Sequence, residues 1–140
     1  MSSDANTSGV ERAARLLFCA GALGEIGTGL VVLVFPRLVG ILINAAVDVP
    51  GLLIARISGS TILALGVTWW IARNEPLGRL TSGYLPGFLI YNLAVAALFA
   101  LRALAASEPA MPWLVSTVHV VAGVGFAAAM LAAPRPEAAH

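Results

Sequence analysis

The stretch LLFCAGALGEIGTGLVVLVF, residues 16–35, decides the fold. Its length matches the ~20 residues that a helix needs to cross the hydrocarbon core of a bilayer. The run lacks the polar/apolar alternation of a barrel strand, and every backbone amide and carbonyl in hydrocarbon must find an internal partner, which a helix provides. Asp4 and Glu11 in the preceding tail, and the length of the run, separate it from a cleaved signal peptide. It reads as a permanent span.

Outward from this run the same pattern recurs. The first span covers residues 12–35 and stops or kinks at Pro36, whose ring nitrogen has no hydrogen to donate. Residues 1–11, rich in Ser, Asn, Asp and Thr, are expected to form a solvated, poorly ordered tail. Leu38 to Val47 is apolar but too short to span. It is expected to lie at the interface, to form a re-entrant flap or lid, or to prolong the first helix. A second span is expected over 50–72, a third over 83–105 with Pro86 in its first turn, and a fourth over 112–133. Residues 74–82 and the Ser107–Glu108–Pro109 segment read as connecting turns, and residues 135–140 as a C-terminal tail. The expected fold class is all-α: a transmembrane four-helix bundle in a single domain.

Composition agrees with this reading. The 140 residues are 59% hydrophobic and 11% charged, with a mean hydropathy of +0.92, whereas soluble domains carry about 25% charged residues. With four spans allotted, only short loops and two short tails remain, and no separate catalytic domain is expected. A net charge of +1 gives no basic surface for nucleic acid. The single cysteine, Cys19, excludes an intrachain disulfide, and with only one histidine inside a span neither a metal nor a haem cofactor is expected.

Arginine placement sets an expected orientation. Arg12, Arg15, Arg73, Arg79 and Arg135 flank one side and Arg37 and Arg102 the other, so the positive-inside rule puts both termini in the cytoplasm. Trp69, Trp70 and Tyr84 at the inner boundary and Trp113 at the outer one fit interfacial aromatic belts. The lysine-free, Ala- and Arg-rich usage points to a GC-rich bacterial genome, and the expected location is the bacterial inner membrane.

Each span carries a residue that hydrocarbon should exclude: Glu25, Arg56, Asn92 beside Tyr91, and His119. At ~1.5 Å of rise per residue, Arg56 and His119 lie roughly 10 Å below the outer ends, Glu25 roughly 15 Å and Asn92 roughly 20 Å. Glu25, Arg56 and His119 are thereby expected to meet in the outer half, with Asn92 as the floor. Gly21 and Gly29 around Glu25, Ser60 and Ala64 beyond Arg56, and Ser116 and Gly123 around His119 are small residues that permit close backbone approach or leave space, and together they are consistent with a narrow polar pocket. Structural roles stand beside these: a snorkelling Arg56, an Asn92 that joins helices, a His119 bonded to a carbonyl, a Glu25–Arg56 pair.

The chemistry expected of such a pocket is acid–base work by Glu25 and His119 on a lipid or hydrophobic small molecule. Arg56 would orient Glu25 or hold an anionic head, Asn92 and Tyr91 would position a carbonyl or hydroxyl, and Ser60 and Ser116 would line the site. Isomerisation, cyclisation and hydrolysis all fit. Two other classes remain open: a non-catalytic subunit of a larger membrane complex, and proton or ion conduction by a homo-oligomer. The set GALGEIGTG (21–29), Arg-Ile-Ser-Gly (56–59), Tyr91-Asn92 and His119 resembles small uncharacterised bacterial four-span membrane proteins over most of the chain. The resemblance implies the fold and carries no activity.

Overall fold

The computed structural model describes residues 2–43, 45–76, 83–105 and 110–132, with side chains described from residue 9 onward apart from residue 10. Among the described residues every regular element is a helix: α1 (Ser2–Val34), α2 (Pro36–Leu42), α3 (Val49–Ala72), α4 (Leu85–Ala105) and α5 (Ala110–Ala132). Four of them, counting Glu11–Val34 of α1, are long and apolar enough to cross a membrane, which makes this a multi-pass membrane protein. The side on which α1 begins and α5 ends is called here the terminal side.

α1 begins at Ser2, where a poorly ordered tail was expected. Polar composition predicts solvation, not conformation. Ala5, Ala13 and Ala14 favour the helix, and Glu11 precedes Arg15 by one turn, the order of charges that supports it. The turn residues 77–82, the segment 107–109 and residues 133–140 lie outside the described residues.

At Phe35 the backbone leaves helical geometry (φ −123°, ψ 54°) and Pro36 starts α2, so the first helix does not continue uninterrupted through 38–47. α2 buries Pro36 and Gly40 and exposes Leu38, Ile41 and Leu42. Arg102 of α4 donates from Nη2 to the Ile43 carbonyl at 3.2 Å, tying the end of this segment to the second half of the molecule. Asp48 caps α3, its Oδ1 accepting from the Gly51 amide at 2.8 Å.

The bundle consists of two helix pairs, α1 with α3 and α4 with α5, joined chiefly through α1 and α5. The first pair is packed backbone to backbone. A Cβ added at Gly59 would sit 2.9 Å from the Gly29 carbonyl oxygen, one at Gly29 would sit 2.9 Å from the Gly59 carbonyl oxygen, and one at Gly66 would sit 2.7 Å from the Ile26 amide nitrogen. In a bilayer, lipid tails compete equally for apolar surface, so helices are held by close packing and hydrogen bonds, and small residues allow that approach. At Gly21 the space a Cβ would occupy is taken by the Trp69 ring. Of the two roles expected for Gly21 and Gly29, close approach is the one they serve.

This contact also fixes which way α3 faces. Gly59, Gly66, Trp69 and Ala72 point inward, and Arg56, Ser60 and Ala64 point outward, contrary to the expectation that Arg56 and Ser60 line the core. The face is chosen by the residues that let two backbones touch, not by the most polar side chain.

Candidate functional site

Glu25, Asn92 and Ser116 are the buried polar side chains among the described residues, 7%, 1% and 5% exposed. Tyr91 and His119 are half-buried beside them. Three helices supply the cluster: α1 gives Glu25, α4 gives Tyr91 and Asn92 as consecutive residues, and α5 gives Ser116 and His119 one turn apart.

Tyr91 donates from its hydroxyl to Glu25 Oε2 at 2.9 Å, bridging the two helix pairs. Asn92 donates from Nδ2 to the Phe88 carbonyl at 2.8 Å, and its Oδ1 faces His119 Nδ1 at 2.9 Å. A carbonyl can only accept, so the Phe88 contact fixes which end of the Asn92 amide faces His119. Oδ1 must then receive a hydrogen from Nδ1. In the neutral ring this leaves the lone pair on Nε2, which makes no hydrogen bond among the described residues. Tyr91 packs edge-on to the imidazole, ring centroids 5.7 Å apart, and so links Glu25 to His119 without a direct bond between them.

Ser116 donates to the Ala96 carbonyl at 2.9 Å and pins α5 to α4. Asn92, buried to 1%, orients His119. The Ser116 hydroxyl hydrogen and one of the two Asn92 amide hydrogens are thus engaged within the protein. Arg56 is exposed and makes no ion pair with Glu25, and exposed Ser60 donates to the Arg56 carbonyl of its own helix at 3.0 Å. The structure thus brings together Glu25, Tyr91, Asn92, Ser116 and His119, and leaves Arg56 and Ser60 on the outward face of α3.

An aromatic plug, absent from the sequence reading, adjoins the cluster. Phe18, Trp69, Phe88 and Phe126, one from each long helix, pack at centroid distances from 4.7 Å for Trp69–Phe88 to 6.5 Å for Phe18–Trp69. Trp69, assigned to an interfacial belt on sequence, is a core residue 1% exposed. Its neighbour Trp70 is exposed, with the Arg73 guanidinium 3.7 Å from its ring centroid and bonded to the Trp70 carbonyl. The Trp69 Nε1 hydrogen, buried among these rings, has no acceptor among the described residues. The plug had a legible signal. Phe18 precedes Glu25 by seven residues, Phe88 precedes Asn92 by four and Phe126 follows His119 by seven, always on the same helix face and toward the terminal side.

Large side chains therefore fill the core on the terminal side of the cluster. On the other side the buried residues are smaller: Val32, Gly59, Ala96, Ala103 and Pro112. A separate apolar groove of about 380 Å³ lies between α1 and α5, lined by Ala13, Ala14, Leu17, Gly125 and Ala128 among others, with no polar side chain facing it. It sits toward the terminal side of the plug and shares no residue with the polar cluster.

Comparisons with protein-family models, with curated proteins and with solved structures return no match. The function is accordingly argued from the chain's own residues.

Proposed function

We propose that this chain binds a lipid or another lipophilic small molecule against Glu25, Tyr91 and His119, and that Glu25 and His119 exchange protons with it. The observation that carries the reading is the position of the cluster: it lies where an aromatic plug gives way to a half of the bundle whose buried residues are small. A carboxyl group in a membrane interior is costly and is commonly retained for function. Here Tyr91, bonded to the carboxyl, packs against a half-buried imidazole whose orientation the buried Asn92 fixes. Isomerisation, cyclisation and hydrolysis all use this pair of groups. The arginine bias supports cytoplasmic termini, which would open the small-residue half toward the outer leaflet of a bacterial inner membrane. The four rings on the terminal side argue against proton conduction through a single copy.

The test is recovery and turnover of the bound molecule. Full-length protein purified in mild detergent is extracted with solvent, the extract is examined by mass spectrometry, and the protein is returned to a total lipid extract to follow product formation. Glu25→Gln is expected to retain the thermal unfolding of the parent, to abolish turnover, and to lower recovery of the molecule about tenfold, the effect of one hydrogen bond to a charged group. Equal recovery and turnover in parent, Glu25→Gln and His119→Gln, all folded, would overturn the reading.

A second reading, a non-catalytic subunit of a larger membrane complex, is favoured by the outward face of α3. Ser60, Thr61 and Thr68 on that face satisfy their hydroxyls on carbonyls of their own helix at 2.9–3.0 Å, which lowers the cost of facing lipid. Arg56 has no such relief, and a guanidinium in the spanning region costs on the order of 2.5–3.5 kcal/mol at the helix centre and less toward the end. A partner helix offering a carboxylate would remove that cost. Co-purification in mild detergent decides it: a stoichiometric partner released by Arg56→Leu supports the subunit role, and a chain recovered only with itself rules it out.

A further inference from the structure

We infer that the polar end of the bound molecule is a hydrogen-bond donor, a hydroxyl or an ammonium group, and not an anion or a carbonyl. The inference rests on the binding proposal above and names the class of ligand that this cluster accepts. It follows from which hydrogen-bonding groups are already engaged. The Tyr91 hydroxyl hydrogen goes to Glu25, the Ser116 hydroxyl hydrogen to the Ala96 carbonyl, and the His119 Nδ1 hydrogen to Asn92. One Asn92 amide hydrogen goes to Phe88, and the residue is too deeply buried to present the other to a ligand. Arg56, the cation that would hold an anionic head, faces outward from α3. A further unspent donor, the Trp69 Nε1 hydrogen, is enclosed by the aromatic plug.

What remains are acceptors. His119 Nε2 makes no hydrogen bond among the described residues, nor does Glu25 Oε1, which is an acceptor in the ionised carboxylate, and Tyr91 oxygen has lone pairs beyond its donated hydrogen. A ligand carbonyl or carboxylate would meet acceptor against acceptor and would lose its hydration without replacement. A hydroxyl or ammonium would supply the hydrogens that these atoms lack, and the ring edges of Tyr91 and His119 offer an apolar seat for the carbon beside it.

Four probes of equal tail length separate the cases on the unmodified full chain in detergent: 4-nonylphenol, 4-nonylbenzylamine, 4-nonylanisole and 4-nonylbenzoate. Binding is read by titration and by the imidazole ¹⁵N resonances, assigned against His119→Gln. The phenol or the amine is expected to bind about tenfold more tightly than the anisole, the discrimination of one good hydrogen bond, and to move the Nε2 resonance more than the Nδ1 resonance. Which of the two binds identifies the head group as hydroxyl or ammonium. In His119→Phe the preference over the anisole is expected to fall, and the comparison on the unmodified chain stands even where that variant does not fold. Anisole binding as tightly as both donors, or benzoate binding tightest, would overturn the donor assignment while leaving the binding proposal intact. No binding of any probe would overturn the binding proposal and this inference with it.

Discussion

Gly29→Ala is expected to destabilise the folded bundle, and Gly27→Ala, two residues away on the same helix, to stabilise it slightly. The two substitutions are chemically identical, and the intrinsic preference of a helix interior for Ala over Gly is worth roughly 0.5–1 kcal/mol in water. At Gly27 a Cβ meets nothing within 4 Å, so that preference is what remains. At Gly29 the new methyl would lie 2.8 Å from the Leu63 Cα and 2.9 Å from the Gly59 carbonyl oxygen, both backbone atoms that no rotamer change can move aside. α1 and α3 would have to separate, and overpacking of this kind costs about 1–3 kcal/mol, at the upper end where backbone is the obstacle. Because close contact and not water exclusion holds the two helices together, the loss spreads along the whole interface down to Gly66. Reversible unfolding of the detergent-solubilised protein, followed by circular dichroism, checks the sign at each position. A Gly29→Ala protein as stable as the parent would show that the α1–α3 backbone contact does not hold the pair.

The contrast between these glycines explains how much of the molecule was legible in the sequence. The four long helices follow from run length and from the backbone's need for internal hydrogen bonds, neither of which depends on knowing what touches what. The side-chain cluster is a different matter. Glu25, Tyr91, Asn92, Ser116 and His119 were all singled out as intramembrane polar residues, and they do converge, because a bundle interior is the least costly place for them. Arg56 was grouped with them by charge and depth. Its helix instead turns the Gly59 and Gly66 face to α1 and carries the guanidinium to the outside. Depth along a helix can be counted from sequence, whereas rotation about its axis is set by the closest-packing pair of backbones. Asn92 reads either as a ligand contact or as a residue that joins helices, and its two hydrogen bonds, to a carbonyl of its own helix and to an imidazole on the next, match the second role.

Trp69→Ala is expected to be the most damaging single truncation of a side chain in this protein, and Trp70→Ala next to it among the mildest of a residue that size. Trp69 is 1% exposed and touches the rings of Phe18, Phe88, Tyr91 and Phe126, so it meets residues from the other three long helices and joins the two helix pairs where they meet. Its ring also covers Gly21, which has no side chain to replace it. In water the loss of a buried Trp costs about 3–5 kcal/mol, part of it the transfer of apolar surface and part the cavity left behind. In a bilayer the first part fades, since a lipid tail solvates an exposed ring well, and the second persists because a sealed void has no atoms to supply the lost dispersion. A destabilisation on the order of 3 kcal/mol is therefore expected for Trp69→Ala. Trp70, exposed to 40%, has the Arg73 guanidinium over its ring. Its removal forfeits an exposed cation–π contact of about 0.5–1 kcal/mol. Denaturant unfolding of the two variants in one detergent measures both numbers. Equal destabilisation by the two would mean that Trp69 does not hold the helix pairs together and that the core on the terminal side is looser than its burial implies.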